Sequence, residues 1–273
     1  MADLHVLVEP AAKSTTDSAD SIDQVGGAAR RASAFERAPT VWRIDGRTLS
    51  EAAATPYPST RVPAPEALAA AEVLREAGVD VIVEHGDVLG EILGLEMARV
   101  IVDEHGARVE VGVGRHDREA FAMLHGDVPT AAALASVVDT VRRHRSPGSP
   151  PHPLNRLASE RWLRGLVIAE PGLVGAVELS PVEPTTARIS VKDAAPAAAV
   201  GVDAVGRSVV VVCSTGIDLD LVPAAADIRL GHAPDARLVL VVPERDAHPV
   251  TLALAAALRH PAEVVLAPAA GRR

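Results

Sequence analysis

The clearest pattern of apolar runs and polar breaks lies in the carboxyl-terminal third of the chain. Two valine-rich runs, 200–203 and 208–213, flank a turn that contains Gly206. Such runs fit the pleated surface of a covered sheet, so they predict two buried strands joined by a short loop. After them, segments whose apolar residues have helical spacing alternate with short apolar runs. The elements predicted there are a helix over 218–231, a strand over 238–242, a helix over 246–258 and a strand over 263–266.

The resulting order, ββαβαβ, determines how these strands are expected to pair. Two strands joined by a helical crossover of this length pair in parallel, with a right-handed connection. The first helix is expected to end on Gly231, because glycine readily adopts the left-handed conformation of a helix cap. The second is expected to begin at Asp246, whose side chain can cap it. This region is therefore predicted to be a layered α/β unit with an aliphatic sheet.

The amino-terminal half is less regular, but two turns stand out. Asp45-Gly46 lies between short apolar stretches and predicts a tight hairpin. His105-Gly106 lies at the centre of residues 94–114, which predict a longer antiparallel hairpin with one packed face. The whole chain is predicted to belong to the α/β (α+β) class, with two lobes that each hold a mixed sheet and packed helices. The other elements predicted in this half are helices over 66–77, 117–126 and 129–144 and a strand over 79–83.

Proline and glycine divide the chain into segments. Residues 146–154 contain four prolines and a glycine, so they cannot continue a helix or a strand and predict a linker. Residues 1–37 are rich in Ser, Thr, Asp, Ala and Gly without clear periodicity, and they predict a mobile tail with no assigned element. The predicted lobes are then residues 38–145 and 155–268. In the second lobe, Asn155 is expected to cap the first helix.

Composition narrows the class of protein. With 273 residues, 48% of them hydrophobic, the chain can bury a large core. A net charge of −9 and an aromatic content of 2% make nucleic acid an unexpected partner. Lysine occurs only as Lys13 and Lys192, and this preference for arginine is typical of a GC-rich bacterial genome. Because the single cysteine, Cys213, lies in a predicted strand, and no signal peptide or bilayer-spanning stretch is recognisable, we expect the protein in the cytoplasm.

The second half carries one family resemblance, which depends on Asp203 and on residues 209–215. Helix, hairpin strands, crossover helix and a further strand follow one another there, and this order resembles the restriction-endonuclease-like nucleases of the PD-(D/E)XK type. In that family an Asp on the second strand and a Glu-x-Lys pair on the third hold a divalent metal and position water. Asp203 falls where the first Asp would, but residues 209–215 offer neither Glu nor Lys. The resemblance therefore implies a degenerate nuclease-like core.

A candidate ligand site lies where two predicted strands end. In open α/β sheets, ligands bind outside the carboxyl ends of the strands, where free amides and helix amino ends gather. The same residues also fit a simpler interpretation, in which they only cap helices and complement their dipoles. The candidates are Ser214, Thr215, Glu244, Arg245 and Asp246.

A candidate metal site lies near the end of the long hairpin. Glu96, Glu110, His116 and Asp117 supply carboxylate and imidazole ligands, and we expect Glu110 to lie opposite Glu96. The chain has no HExxH, CxxC or HxH spacing that would make this assignment specific. The alternative is a capped helix start with a solvated run of charges.

The one concentrated basic region is expected to be a solvated helix end rather than a nucleic-acid groove. Asp139 and Glu160 interrupt it, and arginines near the carboxyl end of a helix are favoured by the helix dipole. It comprises Arg142, Arg143, His144, Arg145, Arg156, Arg161 and Arg164.

These patterns favour a non-catalytic protein. The sequence contains no P-loop, no GxGxxG and no nucleophile elbow. We therefore predict a binding or assembly protein that requires no cofactor, forms a homo-oligomer or binds another protein, and has a degenerate nuclease-like or Rossmann-like carboxyl lobe. The alternative is a phosphodiesterase or nuclease that uses a divalent metal held by the acidic residues of the amino lobe.

Overall fold

The computed structural model of the chain describes residues 3–10, 23–125, 129–146, 149–150, 152–185 and 194–267. Within these ranges the fold is α+β, which confirms the predicted class, and it contains three sheets that are mixed or antiparallel. Helices cover the sheets, so most of the apolar core lies between a helix and a sheet. No helix in these ranges is both long and apolar enough to cross a lipid bilayer.

The amino-terminal sheet has three strands. Its elements are β1 (His5–Val8), α1 (Gln24–Ala32), β2 (Thr40–Asp45) and β3 (Thr48–Glu51). β2 lies in the middle, parallel to β1 and antiparallel to β3. The β2–β3 turn contains Gly46 at a φ of 58°, a conformation that suits glycine, and this confirms the predicted hairpin.

β1 and α1 correct the expectation that residues 1–37 hold no element. Ala29 and Ala32 of α1 pack against Val41 of β2, and Arg30 is buried. A short helix with two glycines has little stability of its own, so α1 depends on this tertiary packing. Val25, Ala29 and Ala32 are nevertheless spaced as one buried helix side, a signal that the prediction overlooked. The predicted mobility of the segment stays a prediction.

The middle sheet has four strands in the order β4-β5-β6-β7 and is antiparallel throughout, whereas the sequence predicts a mixed sheet here. The predicted hairpin around His105-Gly106 is confirmed. The prediction omits β5, whose turn with β4 uses His85-Gly86 at positive φ in place of the usual Asn-Gly or Asp-Gly. The strands are β4 (Asp80–Glu84), β5 (Asp87–Ile92), β6 (Leu95–Asp103) and β7 (Gly106–Val111), and the helices that accompany them are α2 (Pro65–Ala70), α3 (Glu72–Glu76), α4 (Gly114–His125) and α5 (Thr130–Arg145).

The two faces of the middle sheet differ in polarity. One face packs against α2, α3 and α5 in an aliphatic core. The other carries Glu84, Glu91 and Glu96, all buried. A bulge in β6 places the consecutive residues Met97 and Ala98 in the aliphatic core, and the reset alternation leaves Glu96 directly across from Glu91. Partners of opposite charge must cover this acidic face.

The carboxyl sheet has five strands in the order β12-β11-β10-β9-β8. β10, β11 and β12 are parallel, as predicted, while β8 and β9 continue the sheet in antiparallel pairing. Both faces are aliphatic, with α7 and α8 on one side and α6 on the other. The elements are α6 (Ser159–Ala169), β8 (Ala176–Val182), β9 (Ala197–Asp203), β10 (Ser208–Cys213), α7 (Leu221–His232), β11 (Arg237–Pro243), α8 (Pro249–Ala256) and β12 (Glu263–Ala267).

Gly231 allows close packing against α7 and does not end the helix. α7 continues to His232, and a Cβ atom on Gly231 would stand 2.3 Å from Cε1 of Tyr57. The glycine therefore makes room for the Tyr57 ring against α7, so the predicted glycine cap is wrong.

Two predicted side-chain caps are also wrong. Asn155 lies in a 3-10 turn before α6, and the N-cap position of that helix is occupied by Ala158. α8 is capped by His248, whose Nδ1 accepts the amide of Val250 at 3.2 Å. Asp246 instead binds the neighbouring loop, because the chain turns through a 3-10 segment before α8 begins.

Candidate functional site

The carboxyl edge of the carboxyl sheet gathers the predicted ligand-binding residues. Ser214 and Thr215 follow β10, and the 3-10 turn Glu244–Asp246 follows β11. Parallel strands end at the same edge, which is why these two loops are neighbours. α6 starts at this edge as well and adds Ser159 and Glu160, which the sequence-based site does not include.

Thr215 is the centre of a compact hydrogen-bond cluster. Its hydroxyl donates to Glu160 Oε1 at 2.8 Å, so it accepts from the Ser159 hydroxyl at 2.7 Å. The Ser159 hydroxyl also lies 3.3 Å from Glu160 Oε1, and the Glu160 carboxylate is buried. The cluster fastens the first turn of α6 to the sheet edge.

Asp246 joins the two loops of the edge. Its Oδ2 accepts the Gly216 amide at 2.8 Å, and its Oδ1 lies 3.4 Å from Nε of the exposed Arg245. Ser214 is buried, and its amide donates to the Val241 carbonyl at 3.1 Å. The structure therefore brings Ser214, Thr215 and Asp246 together, while Glu244 and Arg245 lie at the exposed rim.

This arrangement suits a structural role better than catalysis. The hydroxyls of Thr215 and Ser159 are hydrogen-bonded to each other and to a carboxylate, whereas hydroxyl nucleophiles are usually activated by an imidazole or an amine. Cys213, the last residue of β10, is fully buried, and burial raises the pKa of its thiol to about 12. The thiol is therefore protonated at neutral pH and is not a nucleophile.

The four predicted metal ligands do not converge: three accept hydrogen bonds from other groups, and the fourth, His116, extends into solvent. Glu96 accepts from Arg99 at 3.0 Å and from Arg118 at 2.7 Å. Glu110 accepts from Arg108 at 3.0 Å. Asp117 Oδ2 accepts the Val113 amide at 2.7 Å, and the His116 side chain is 99% exposed. Within the described ranges, no group of three or more His, Cys, Asp or Glu side chains could hold a metal ion.

The register of the sheet explains why these ligands do not converge. The β6–β7 turn pairs Asp103 with Gly106, and this register places Glu110 across from Arg99 rather than Glu96. Glu96 pairs with Glu91 on the other side of β6. The predicted opposition of Glu110 and Glu96 is therefore wrong, because the hairpin turn sets the register.

A buried ion cluster between α6 and the middle sheet escapes sequence reasoning. Arg161 forms ion pairs with Glu84 and Glu91. Arg164 lies 3.0 Å from Glu91 and 3.5 Å from Glu84. All four side chains are at most 6% exposed. The i, i+3 spacing of the two arginines places them on one side of the helix, but nothing local identifies that side as buried.

The cluster is neutral overall and depends on all of its members. Burial by itself lowers the pKa of the Arg161 guanidinium, but the carboxylates of Glu91, Glu84 and Glu96 together outweigh burial and raise it. Charges buried this deeply are tolerated only while they remain paired. On the other side of α6, Leu163 and Val167 pack on the carboxyl sheet. α6 thus joins the two sheets, with an ionic contact on one side and an aliphatic contact on the other.

A second buried ion pair holds α1 on the carboxyl half. Arg30 of α1 donates to both carboxylate oxygens of Asp227 on α7, at 2.6 and 3.1 Å. Its Nη1 also donates to the carbonyls of Thr55 and Pro56, and its guanidinium lies 5.6 Å from the ring centre of Tyr57. This contact joins residues 197 positions apart, so sequence spacing gives no sign of it.

Arg145 corrects the expected solvated helix end. It is fully buried, and its guanidinium lies 4.7 Å from the ring centre of Trp162. It ties the end of α5 to the start of α6 through backbone oxygens, so its charge serves the fold. The carbonyls to which it donates, at 2.7 to 3.0 Å, are those of Leu93, Leu154, Leu157 and Ala158.

Asp203, the position that carries the nuclease resemblance, shapes a turn. Its Oδ1 accepts the amides of Val205 and Arg207 at 3.0 and 2.9 Å, and its Oδ2 accepts Arg207 Nε at 2.8 Å. These amides and the guanidinium lower the pKa of the carboxyl group. The carboxylate thereby closes the β9–β10 hairpin.

The fold and the site together define an α+β protein in which several buried charges, among them Arg30 with Asp227 and Arg161 with Glu84 and Glu91, form ion pairs. Comparison with protein-family models, with curated proteins and with solved structures finds no match to this chain.

Proposed function

We propose that this chain is a non-catalytic binding and assembly protein that associates with a second copy of itself. The contact would use the outer side of α8 and the free edge of β12. We call this the α8–β12 surface, and the observation that carries the proposal is that its apolar side chains are exposed next to one another. They are Val250, Leu252, Ala253, Ala256 and Leu266.

α8 has no charged residue and no polar side exposed to water. Its sequence is PVTLALAA, and its one polar side chain, Thr251, is buried together with Ala255. Val250 and Leu252 are nevertheless 43% and 44% exposed. A helix that is apolar around its whole circumference is normally covered on all sides. The outer side of α8 therefore fits a partner surface.

β12 provides an open strand edge beside this helix. It is the last strand of the carboxyl sheet, and among the described strands it pairs with β11 alone. Leu266 lies on the side covered by α8, because its cross-strand neighbour Val242 belongs to that core. An edge strand can pair with another strand, and a twofold axis brings two copies of one edge together in antiparallel orientation.

The charges at the α8–β12 surface are compatible with a second copy as the occupant. Each chain carries a net charge of −9, so two copies repel over most of their surface. The exposed charges around the α8–β12 surface balance, with Glu244 and Glu263 against Arg245 and Arg259. Two acidic chains can therefore meet here with little repulsion.

The mass of the protein in solution tests the proposal. We expect a concentration-dependent dimer by light scattering or sedimentation, and a monomer after Leu252→Arg, which places a charge at the centre of the contact. Added salt should strengthen the dimer, because it screens the repulsion between the chains.

The control is Val205→Arg, at an apolar position in the β9–β10 turn of the same sheet that is even more exposed than Leu252, 72% against 44%, and it should leave the dimer intact. A monomeric mass at every concentration would overturn the proposal. Equal dissociation by the two variants would do so as well.

The degenerate nuclease-like character of the carboxyl lobe belongs to the same proposal. The order α6-β8-β9-β10-α7-β11 supports it, since helix, three strands, helix and strand follow one another as in that family. The carboxylate of Asp203 is already bound within its own turn, and Cys213 is buried. Both observations support a lobe that keeps the outline of the family without its metal ligands.

A further inference from the structure

The outer face of the amino-terminal sheet is a second apolar surface with a different character. We define it by Leu7, Trp42, Ile44 and Leu49. Leu7 lies across from Trp42, and Leu49 lies across from Ile44, so the four side chains share one face of the three strands. Leu7 and Leu49 are 55% and 54% exposed, and Trp42 and Ile44 are partly exposed.

The rest of the described chain covers its other sheet faces with helices. α1 packs on the inner face of this same sheet, and α6, α7 and α8 cover both faces of the carboxyl sheet. The middle sheet has α2, α3 and α5 on one face and arginines from α4 and α6 on the other. An apolar sheet face of this kind is normally buried against another layer.

Acidic side chains outnumber basic ones around the outer face, where Arg47 in the β2–β3 turn is exposed on the alternation of Leu49. Glu51 lies across from Trp42 on the same face. Asp3 lies before β1 and Glu9 after it, each an even number of residues from Leu7, so the strand alternation places them on the face of Leu7. All three are exposed. The one arginine within β2, Arg43, lies on the opposite face, where it binds Asp23 at 3.2 Å. A second copy of the chain would bring like charges together, whereas a basic partner would neutralise them.

We propose that this outer face binds an amphipathic helix of another protein, with leucine-like side chains on one side and Lys or Arg along its flanks. Trp42 would be the central contact, because tryptophan is among the residue types that most often dominate binding energy. It lies beside Leu7 and Ile44, and its Nε1 donates to His5 Nδ1 at 3.0 Å, which holds the ring in place. The acidic rim selects a basic partner and accelerates its encounter with the sheet. This binding is independent of the α8–β12 surface.

Two synthetic helical peptides test the proposal on the full chain, one built from Leu and Lys and the other from Leu and Glu with the same apolar pattern. We expect the Leu/Lys peptide to bind and to change Trp42 fluorescence, while the Leu/Glu peptide does not bind. Trp42→Ala should weaken binding by about 30-fold. Glu51→Lys should weaken binding of the Leu/Lys peptide and allow the Leu/Glu peptide to bind.

The matched control is Glu104→Lys, which makes the same change of charge at an exposed turn of the middle sheet and should leave binding unchanged. Equal effects of Glu104→Lys and Glu51→Lys, or equal binding of both peptides, would overturn the proposal. So would a dimer that Trp42→Ala converts to a monomer, because a second copy would then cover this face. Leu252→Arg should bind the Leu/Lys peptide normally, which separates this test from that of the α8–β12 surface.

Discussion

The middle sheet and the carboxyl sheet bury their faces in opposite ways. The carboxyl sheet has aliphatic side chains on both faces, and residues 209–213 of β10 are fully buried. The middle sheet has one aliphatic face and one that carries Glu84, Glu91 and Glu96 under arginines of α4 and α6. One core is therefore held by packing alone, and the other partly by matched charges.

The difference determines how each sheet responds to a substitution. Removing one partner from a buried ion cluster leaves an uncompensated charge, which costs far more than the pair contributes. An aliphatic face responds instead to lost volume or to a polar group that has no partner. α6 contacts both kinds of face, with Arg161 and Arg164 on one side and Leu163 and Val167 on the other.

The largest effect is expected at the ion cluster. Arg161→Met leaves Glu84 and Glu91 short of a partner in a site that is almost closed to water. We expect the free energy of unfolding, measured by urea denaturation, to fall by about 3–5 kcal/mol.

Two further variants sharpen that result. Arg108→Met also removes an arginine that binds two carboxylates, but at the surface, and should cost a small fraction as much. Replacing all four residues of the cluster with apolar ones should recover most of the stability. If Arg161→Met and Arg108→Met cost the same, the comparison between buried and exposed charge fails.

An intermediate effect is expected in the carboxyl sheet. Cys213→Ser keeps the size of the side chain but places a hydroxyl among Val211, Val239 and Val241, in the core where Cys213 lies. A buried hydroxyl that finds no partner costs about 1–3 kcal/mol. Urea denaturation should show this loss, with Cys213→Ala as the control that removes the sulfur without adding a polar atom. Unchanged stability of the serine variant would show that this face tolerates polarity.

The smallest effect is expected at the ion pair of the β9–β10 turn, where Asp203 is 8% exposed but its partner Arg207 is 76% exposed. The pKa of Asp203 is lowered from its ordinary value of 3.8, chiefly by the amide of Arg207. A carboxyl group with a lowered folded-state pKa contributes stability above its unfolded pKa and loses it as the pH falls through the folded value. Asp203→Asn should therefore lower the melting midpoint slightly at neutral pH.

The pH dependence provides the check on that prediction. The difference between the wild type and Asp203→Asn should disappear in acid, where the aspartate is protonated and resembles the amide. A difference that persists unchanged in acid would show that the turn does not depend on the charge of Asp203.

The local sequence pattern was sufficient to predict an element wherever that element depends on its own residues. The valine run 208–213 predicts β10 with its observed bounds, and Asp45-Gly46 predicts the β2–β3 hairpin. The parallel order of β10, β11 and β12 follows from the helices between them. The sequence also brings Ser214, Thr215 and Asp246 to one sheet edge, because parallel strands end together.

Only the tertiary structure determined which polar side chains are buried, because this depends on which elements pack against them. Arg161 and Arg164 have the spacing of a solvated helix side and become buried only because the acidic face of the middle sheet lies against them. Arg30 finds Asp227 in a distant part of the chain, and that contact helps to hold α1, a short helix with two glycines, in its place. The hydrophobic pattern that predicts the strands involves residues close together in the sequence. The pairing of charges depends on Coulomb attraction between residues that only the fold brings together.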